Sequence, residues 1–272
     1  VLIHGFGACK EHWRHNQPII GKVSPCYAID LIGFGESSQP KSKLKGERES
    51  VGSFTYNFDK WSEQVAYFCQ EVIQCPVVLI GNSIGGVIAL KASQILKNNC
   101  KGVVLIDCAQ RRMDDKRLIN QPKWMKIIRP ILKKLVEQRW LSKLLFSNAA
   151  NPKVVKKILK EAYPSGENVD QELINLLLKP SKRDGASEAF RGFINIFNDY
   201  LAPDLMNKIN IPVDLIWGGK DPWEPLKEAQ DWKSSIECVR SLKVISKAGH
   251  CPHDEFPEEV NQILIKIIQA AA

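Results

Sequence analysis

Five residues, Gly81-Asn82-Ser83-Ile84-Gly85, interrupt the apolar run VVLIGNSIGGVIAL at residues 77–90. A hydroxyl between glycines, with a β-rich stretch before it and a helix-forming stretch after it, is G-x-S-x-G in the strand–turn–helix setting of a nucleophilic serine. The flanking glycines permit a turn too tight for a Cβ, and the strained turn projects the hydroxyl away from the backbone. At a helix N-terminus the serine also sits where N–H groups and the helix dipole favour negative charge. A serine that merely capped the helix would need neither flanking glycine, nor the further Gly86.

A serine hydroxyl needs a base to accept its proton and a carboxylate to orient that base. KAGHCPHDE (247–255) supplies His250 directly after the last predicted strand; His253 is its competitor, read as a supporting or capping residue ahead of a helix at 257–269. WGGKDPW (217–223) offers Asp221 in a tight turn after another strand, with Asp107 at a neighbouring strand end as the alternative acid and Glu224 as a weaker contender. Chain order favours Asp221, because nucleophile, acid and base then follow one another as they do after a serine elbow. HGFGA (4–8), at the end of the first strand, provides a glycine-rich loop in which the Phe6 N–H would join the Ile84 N–H as an oxyanion hole. Each such donor contributes about 3 kcal/mol of transition-state stabilisation. His4 is read as ordering that loop. The scheme needs no metal and no cofactor.

Short β-rich runs recur to position these groups: VLI (1–3), CYAID (26–30), VVLI (77–80), GVVLID (102–107), VDLIW (213–217) and LKVIS (242–246). They are continuously apolar, as strands covered on both faces are, and helix-length segments at 59–74 and 84–97 give a βαβ rhythm. From 110 to 210 no strand is predicted, only amphipathic helical pattern broken by Pro122, Pro130, Pro152, Pro164, Pro180 and Pro203. The expected organisation is a core of residues 1–109 and 211–272 with a helical cap at 110–210. KSKLKGERES (41–50) reads as an exposed, mobile loop.

In order along the chain, HGFG, DLIGFGESS (30–38), GNSIGG, GGKDP and GHCPH resemble the α/β-hydrolase superfamily. The resemblance implies an eight-stranded, mostly parallel sheet with a cap after the sixth strand, the first two strands lying upstream of Val1. Serine at position 83 separates the chain from haloalkane dehalogenases and epoxide hydrolases, which carry aspartate there. Asn82 before the serine, with VLIHGFGA, HWR (12–14) and YAIDLIGFGES, is most similar to the plant and cyanobacterial pheophytinase and chlorophyll dephytylase group. That similarity implies hydrolysis of the phytyl ester of a chlorophyll pigment, in a plastid or cyanobacterial cell. The C–C bond hydrolases of aromatic degradation also share a GNS-type elbow, but the tryptophan that often follows their histidine is Cys251 here. A small-molecule receptor on the same fold is a further alternative.

Composition bounds these readings. The chain has 272 residues, and its net charge of +8 is concentrated in residues 111–160, which hold 15 Lys plus Arg against 3 Asp plus Glu. The local balance is thus +12, and the other residues sum to −4. A single localised basic feature without a recognition motif argues against nucleic acid as a partner. Within it, KWMKIIRPILKKLVEQRWLSKLLF (123–146) has apolar residues, among them Trp124, Ile127, Ile128, Ile131, Leu132, Leu135, Trp140 and Leu144, at helical spacing. The expected arrangement is a cap helix, bent near Pro130, with its apolar face on the core and its basic face in solvent; the sharper alternative is contact with anionic lipid. No apolar stretch is long enough to span a membrane. Eight cysteines without metal-ligand spacing suggest a reducing intracellular compartment.

Overall fold

The computed structural model describes residues 1–120 and 123–271; Pro122 and the side chain of Ile127 lie outside the described residues. Six strands, β1 (Leu2–Ile3), β2 (Ala28–Ile29), β5 (Val77–Asn82), β6 (Cys100–Ile106), β7 (Val213–Gly218) and β8 (Val239–Ile245), form one parallel sheet in the order β2-β1-β5-β6-β7-β8. The chain starts at β1, steps outward to β2 and returns past it to β5, so the strand order reverses between β1 and β5. Such switch points open a crevice at the carboxyl ends of the strands, where open α/β sheets bind ligands.

Both faces of the sheet are apolar, which is why its strands read as unbroken hydrophobic runs. Ile3, Leu79, Val103, Leu105, Leu215 and Trp217 point to one face, under helices α1 (Phe58–Phe68) and α2 (Ile84–Leu96). Leu2, Ile80, Val104, Ile106 and Ile216 point to the other, where Val260 and Leu264 of helix α9 (Pro257–Ala271) cover them. Helix α1 begins where Asn57 accepts a hydrogen bond from the Lys60 N–H at 2.8 Å, satisfying one donor of its first turn.

Helices α3 (Lys123–Glu137), α4 (Arg139–Ala149), α5 (Pro152–Ala162), α6 (Gln171–Ser181) and α7 (Ala186–Ile194) lie between β6 and β7, before α8 (Leu226–Ser235) returns to the sheet. The orientation of α3 corrects the sequence expectation. Trp124, Ile128, Ile131, Leu132 and Leu135, one helical face, are exposed. The opposite face turns inward: Arg129 is buried, donating to Asp115 Oδ1 (3.0 Å) and to the Met113 carbonyl, and Lys133 Nζ reaches Asp115 Oδ2 at 2.6 Å. Both cations also lie over the Phe197 ring. The fixed anion Asp115 and the ring decide the rotation of this helix, and neither is visible in its own periodicity.

The 41–50 segment is also less free than its composition suggests. Lys41–Ser42 (β3) pairs with Ser53–Phe54 (β4); Ser42 is buried, and its hydroxyl donates to Glu188 of α7 at 2.6 Å. Glu47 forms an ion pair with the buried Arg191 at 2.6 Å. Polar anchoring to the cap fixes the segment. All eight cysteines are unpaired.

Candidate active site

Ser83 follows the last residue of β5 and precedes the first of α2, with φ +55° and ψ −121°. That conformation is strained for a residue with a Cβ and is held by its surroundings. Ser83 N–H donates to the Ile106 carbonyl at 3.0 Å, while its own carbonyl accepts from Gly86 and Ala109, each at 3.1 Å. The neighbouring glycines are required by contact: a Cβ on Gly81 would lie 2.2 Å from the Gly85 carbonyl carbon, and one on Gly85 2.4 Å from the Ile3 carbonyl oxygen.

His250 is held from several directions. Its N–H donates to the Ala162 carbonyl at 2.9 Å, and its carbonyl accepts from Asn82 Nδ2 at 3.1 Å. The same Asn82 amide reaches the Ile106 carbonyl at 3.2 Å, so one buried side chain ties the serine elbow, β6 and the histidine loop together. On the imidazole, Nδ1 faces Asp221 Oδ2 at 2.8 Å, and the Trp223 ring stands edge-on to it at 4.8 Å. The N–H groups of Trp223 (2.8 Å) and Glu224 (3.1 Å) donate to the other oxygen, Asp221 Oδ1. Burial opposes charge on Asp221, but these bonds and the imidazole outweigh it and hold its carboxyl below the ordinary aspartate value.

Asp107 contacts the acid rather than the base. It is fully buried with φ +42°, and its oxygens accept the Gly218 N–H at 2.9 and 3.2 Å. Burial and the negative charge of Asp221 push its carboxyl well above the usual range, so of the two neighbouring acids Asp107 is the one that holds a proton more readily and can donate it in a hydrogen bond to Asp221. Glu224 accepts the Gln110 N–H at 2.9 Å, and burial raises it to about 7.

The loop after β1 is ordered by His4, whose Nε2 accepts the Leu31 N–H at 3.1 Å and whose Nδ1–H donates to the Gly5 carbonyl at 2.7 Å. Burial lowers its pKa to about 4, so the ring is neutral. Phe6 lies in this loop, its ring stacked on Phe193 at 3.8 Å, and Ile84 opens α2, so its N–H has no partner within the helix. His253 is fully buried between the rings of His12 and Trp13, far below its ordinary pKa through burial, and neither nitrogen has a hydrogen-bond partner among the described residues. It is a packing residue of the core.

The fold has counterparts. The alpha/beta hydrolase fold family matches residues 1–257. The chain belongs to this family. A chloroplastic pheophytinase of Arabidopsis thaliana is 26% identical over 97% of this chain; the chain spans 60% of the length of that relative. Among solved structures, an esterase of Exiguobacterium antarcticum superposes with a TM-score of 0.73 at 18% identity, covering 98% of this chain and 90% of the other. The meta-cleavage product hydrolase CumD of Pseudomonas fluorescens IP01 gives 0.72 at 18%, covering 100% and 90%. At these identities the structures share the fold.

In this α/β-hydrolase, Ser83 and His250 open into a cavity of about 370 Å³, together with Gly5, Phe6 and Trp223 from the core. Phe146 of α4 and Val155, Ile158 and Leu159 of α5 line its other side, a predominantly apolar wall. His12 Nε2 meets the Tyr163 hydroxyl at 2.8 Å, which donates to the buried Asp254 at 3.0 Å. Asp254 also accepts from Arg14 Nε at 3.0 Å, and Arg14 binds Asp170 at the start of α6 at 2.9 Å, fastening the cap to the core beside the site. Sequence reasoning missed Asn82 as the tie, Trp223 as the wall against His250, and this His12–Tyr163–Asp254–Arg14 chain. An amide inside an apolar strand was the available signal for Asn82; the hydrogen-bonded chain has none, since its directly bonded members are up to 240 residues apart. Cys9, Glu11 and Asp30 lie near one another, but Lys10 Nζ already meets Asp30 at 3.3 Å and Glu11 at 3.5 Å, supplying the positive charge a metal would bring.

Proposed function

We propose that the protein hydrolyses a carboxylic ester of a large apolar molecule through an acyl-enzyme on Ser83. His250 takes the serine proton as Ser83 Oγ attacks the carbonyl carbon, and Asp221, bonded to Nδ1, keeps the attacking face of the imidazole in the basic tautomer. The Phe6 and Ile84 N–H groups receive the oxyanion. Collapse expels the alcohol, which takes the proton from His250; water, deprotonated by the same imidazole, then releases the acid from Ser83.

The observation that carries this reading is the 2.8 Å Asp221–His250 bond beside a strained serine, with Ser83 and His250 opening into one apolar cavity. That cavity lies near the lower end of the usual range for small-molecule sites, so it suits an isoprenoid or fatty chain while a tetrapyrrole would stay at the mouth. Together with the similarity to pheophytinase, this supports a phytylated chlorophyll pigment as substrate and a plastid setting.

The test is incubation with pheophytin, chlorophyll, a chain-length series of aryl esters and a vinylogous diketone, followed by chromatography. The reading expects free phytol and rates that rise with chain length, both lost in Ser83→Ala. Turnover of short esters alone would reduce it to a general esterase, and diketone cleavage without ester cleavage would replace it by C–C hydrolysis.

A further inference from the structure

Nine of the nineteen large hydrophobic residues exposed on the described surface fall within residues 124–158. Trp124, Ile131 and Leu135 stand outward on α3, and Trp140 and Leu144, 67% and 60% exposed, continue the surface on α4, which packs against both α3 and α5. Soluble proteins rarely leave so many neighbouring apolar side chains uncovered without a partner. The surrounding charge indicates which partner. Residues 123–160 contain eleven Lys plus Arg and a single acid, Glu137. Lys134, Lys143, Lys153, Lys156, Lys157 and Lys160 are exposed, and none of them forms an ion pair among the described residues. In contrast, the cations on the inner face, Arg129 and Lys133, share the carboxylate of Asp115.

We infer that the outer face of α3–α5 docks on an anionic lipid surface. Apolar side chains with tryptophans among them, ringed by unpaired lysines, match the two components of such a surface: acyl chains beneath and anionic headgroups at the level of the charges. A second copy of the chain fits poorly, since it would set two faces of the same strong positive charge against each other. Ile158 is 41% exposed on this face and also lines the cavity that holds Ser83, and Phe146 of α4 lines the same cavity. The docked face therefore adjoins the cavity, and an apolar ester passes from bilayer to cavity without crossing water. Among the described residues no helix is long and apolar enough to cross a membrane, so the contact is peripheral. The docking does not depend on which bond the enzyme cleaves.

Flotation with phosphatidylcholine vesicles, with and without phosphatidylglycerol, tests the proposal on the whole chain. The protein is expected to float with the anionic vesicles and to stay behind with the neutral ones. Lys156→Glu/Lys157→Glu should weaken anionic association by roughly tenfold or more, and Trp124→Ala/Trp140→Ala should weaken it comparably. Both double variants should keep wild-type circular dichroism and wild-type hydrolysis of a soluble short aryl ester. Equal recovery from both vesicle types, or undiminished anionic binding by both variants, overturns the proposal. Concentration-dependent dimerisation that the tryptophan variant abolishes, with no flotation, assigns the face to a second copy instead. Ser83→Ala should float like wild type, so failure of ester hydrolysis with flotation intact counts against the ester reading alone.

Discussion

The two halves of the molecule place their side chains by opposite rules. In the sheet, apolar residues point inward on both faces, and two polar side chains at its carboxyl edge are held from several directions, Asn82 by two carbonyls and Asp221 by two N–H groups and an imidazole. In helix α3 two cations, Arg129 and Lys133, point inward to Asp115, and Trp124, Ile128, Ile131, Leu132 and Leu135 point outward. A reacting group needs fixed geometry, which a closed polar network inside a packed core supplies. A docking face needs uncovered apolar area, which a protein can tolerate only on an element anchored by something other than its apolar side. The contrast is thus between a region built to hold atoms still and one built to present a surface.

The largest expected effect is on the sheet side. Ser83→Ala should lower ester turnover roughly 10⁴-fold or more, with little change in thermal stability, since the backbone bonds that fix the elbow remain. Steady-state kinetics and a melting curve on the same sample check both halves, and retained turnover would remove Ser83 from the chemistry.

A paired truncation tests the contrast itself. Leu79, fully buried under α1 and α2, should cost about 2–5 kcal/mol as Leu79→Ala. The same change at Leu135, 44% exposed on α3, should fall within about 0.5 kcal/mol of wild type. Urea denaturation followed by circular dichroism measures both. A large loss at Leu135 would mean that the apolar face of α3 is covered in solution.

How much of this was legible in the sequence divides along the same line. A mostly parallel α/β sheet could be read from VVLI, GVVLID and VDLIW because a strand buried on both faces writes its environment into a continuous apolar run; the α/β-hydrolase fold came from the resemblance carried by HGFG, GNSIGG, GGKDP and GHCPH. That Asp221 meets His250, and that Ser83 and His250 line one cavity, agrees with their places after strands. Helix α3 misled because its periodicity states that two faces exist and not which one turns inward; Asp115 and Phe197, outside the helix, decide that. KSKLKGERES misled likewise, as the partners that hold Ser42 and Glu47 are Glu188 and Arg191, about 145 residues away. A charge pairing over that distance leaves no local mark.

Glu224 tests how tightly the polar edge of the sheet is closed. Burial raises its pKa from 4.5 to about 7, so the folded chain binds more protons there than the unfolded chain between those values. Stability from this group is therefore fully present below about pH 4.5 and is lost as pH rises through 7, on the order of 3 kcal/mol in all. Comparing melting temperatures across pH 5–8 for wild type and Glu224→Gln isolates the effect. The variant, which cannot ionise, should show a shallower decline with rising pH, and parallel curves would place Glu224 in water.

The smallest effect, and the finest probe of the site, is at Asp107. Its carboxyl accepts the Gly218 N–H and, when it holds its proton, donates to Asp221, so it steadies the carboxylate that steadies His250. An amide provides both functions, and Asp107→Asn should retain activity within about threefold. Asp107→Ala leaves the Gly218 N–H unpaired and withdraws one donor from Asp221, and should lower turnover roughly tenfold. Because a less supported Asp221 holds its proton more readily, the acid limb of the pH–rate profile should move upward in the alanine variant and stay in place in the asparagine variant. If the two variants behaved alike, Asp107 would be filling space beneath the site, and the fixed geometry at this edge of the sheet would have to come from Trp223 and the backbone alone.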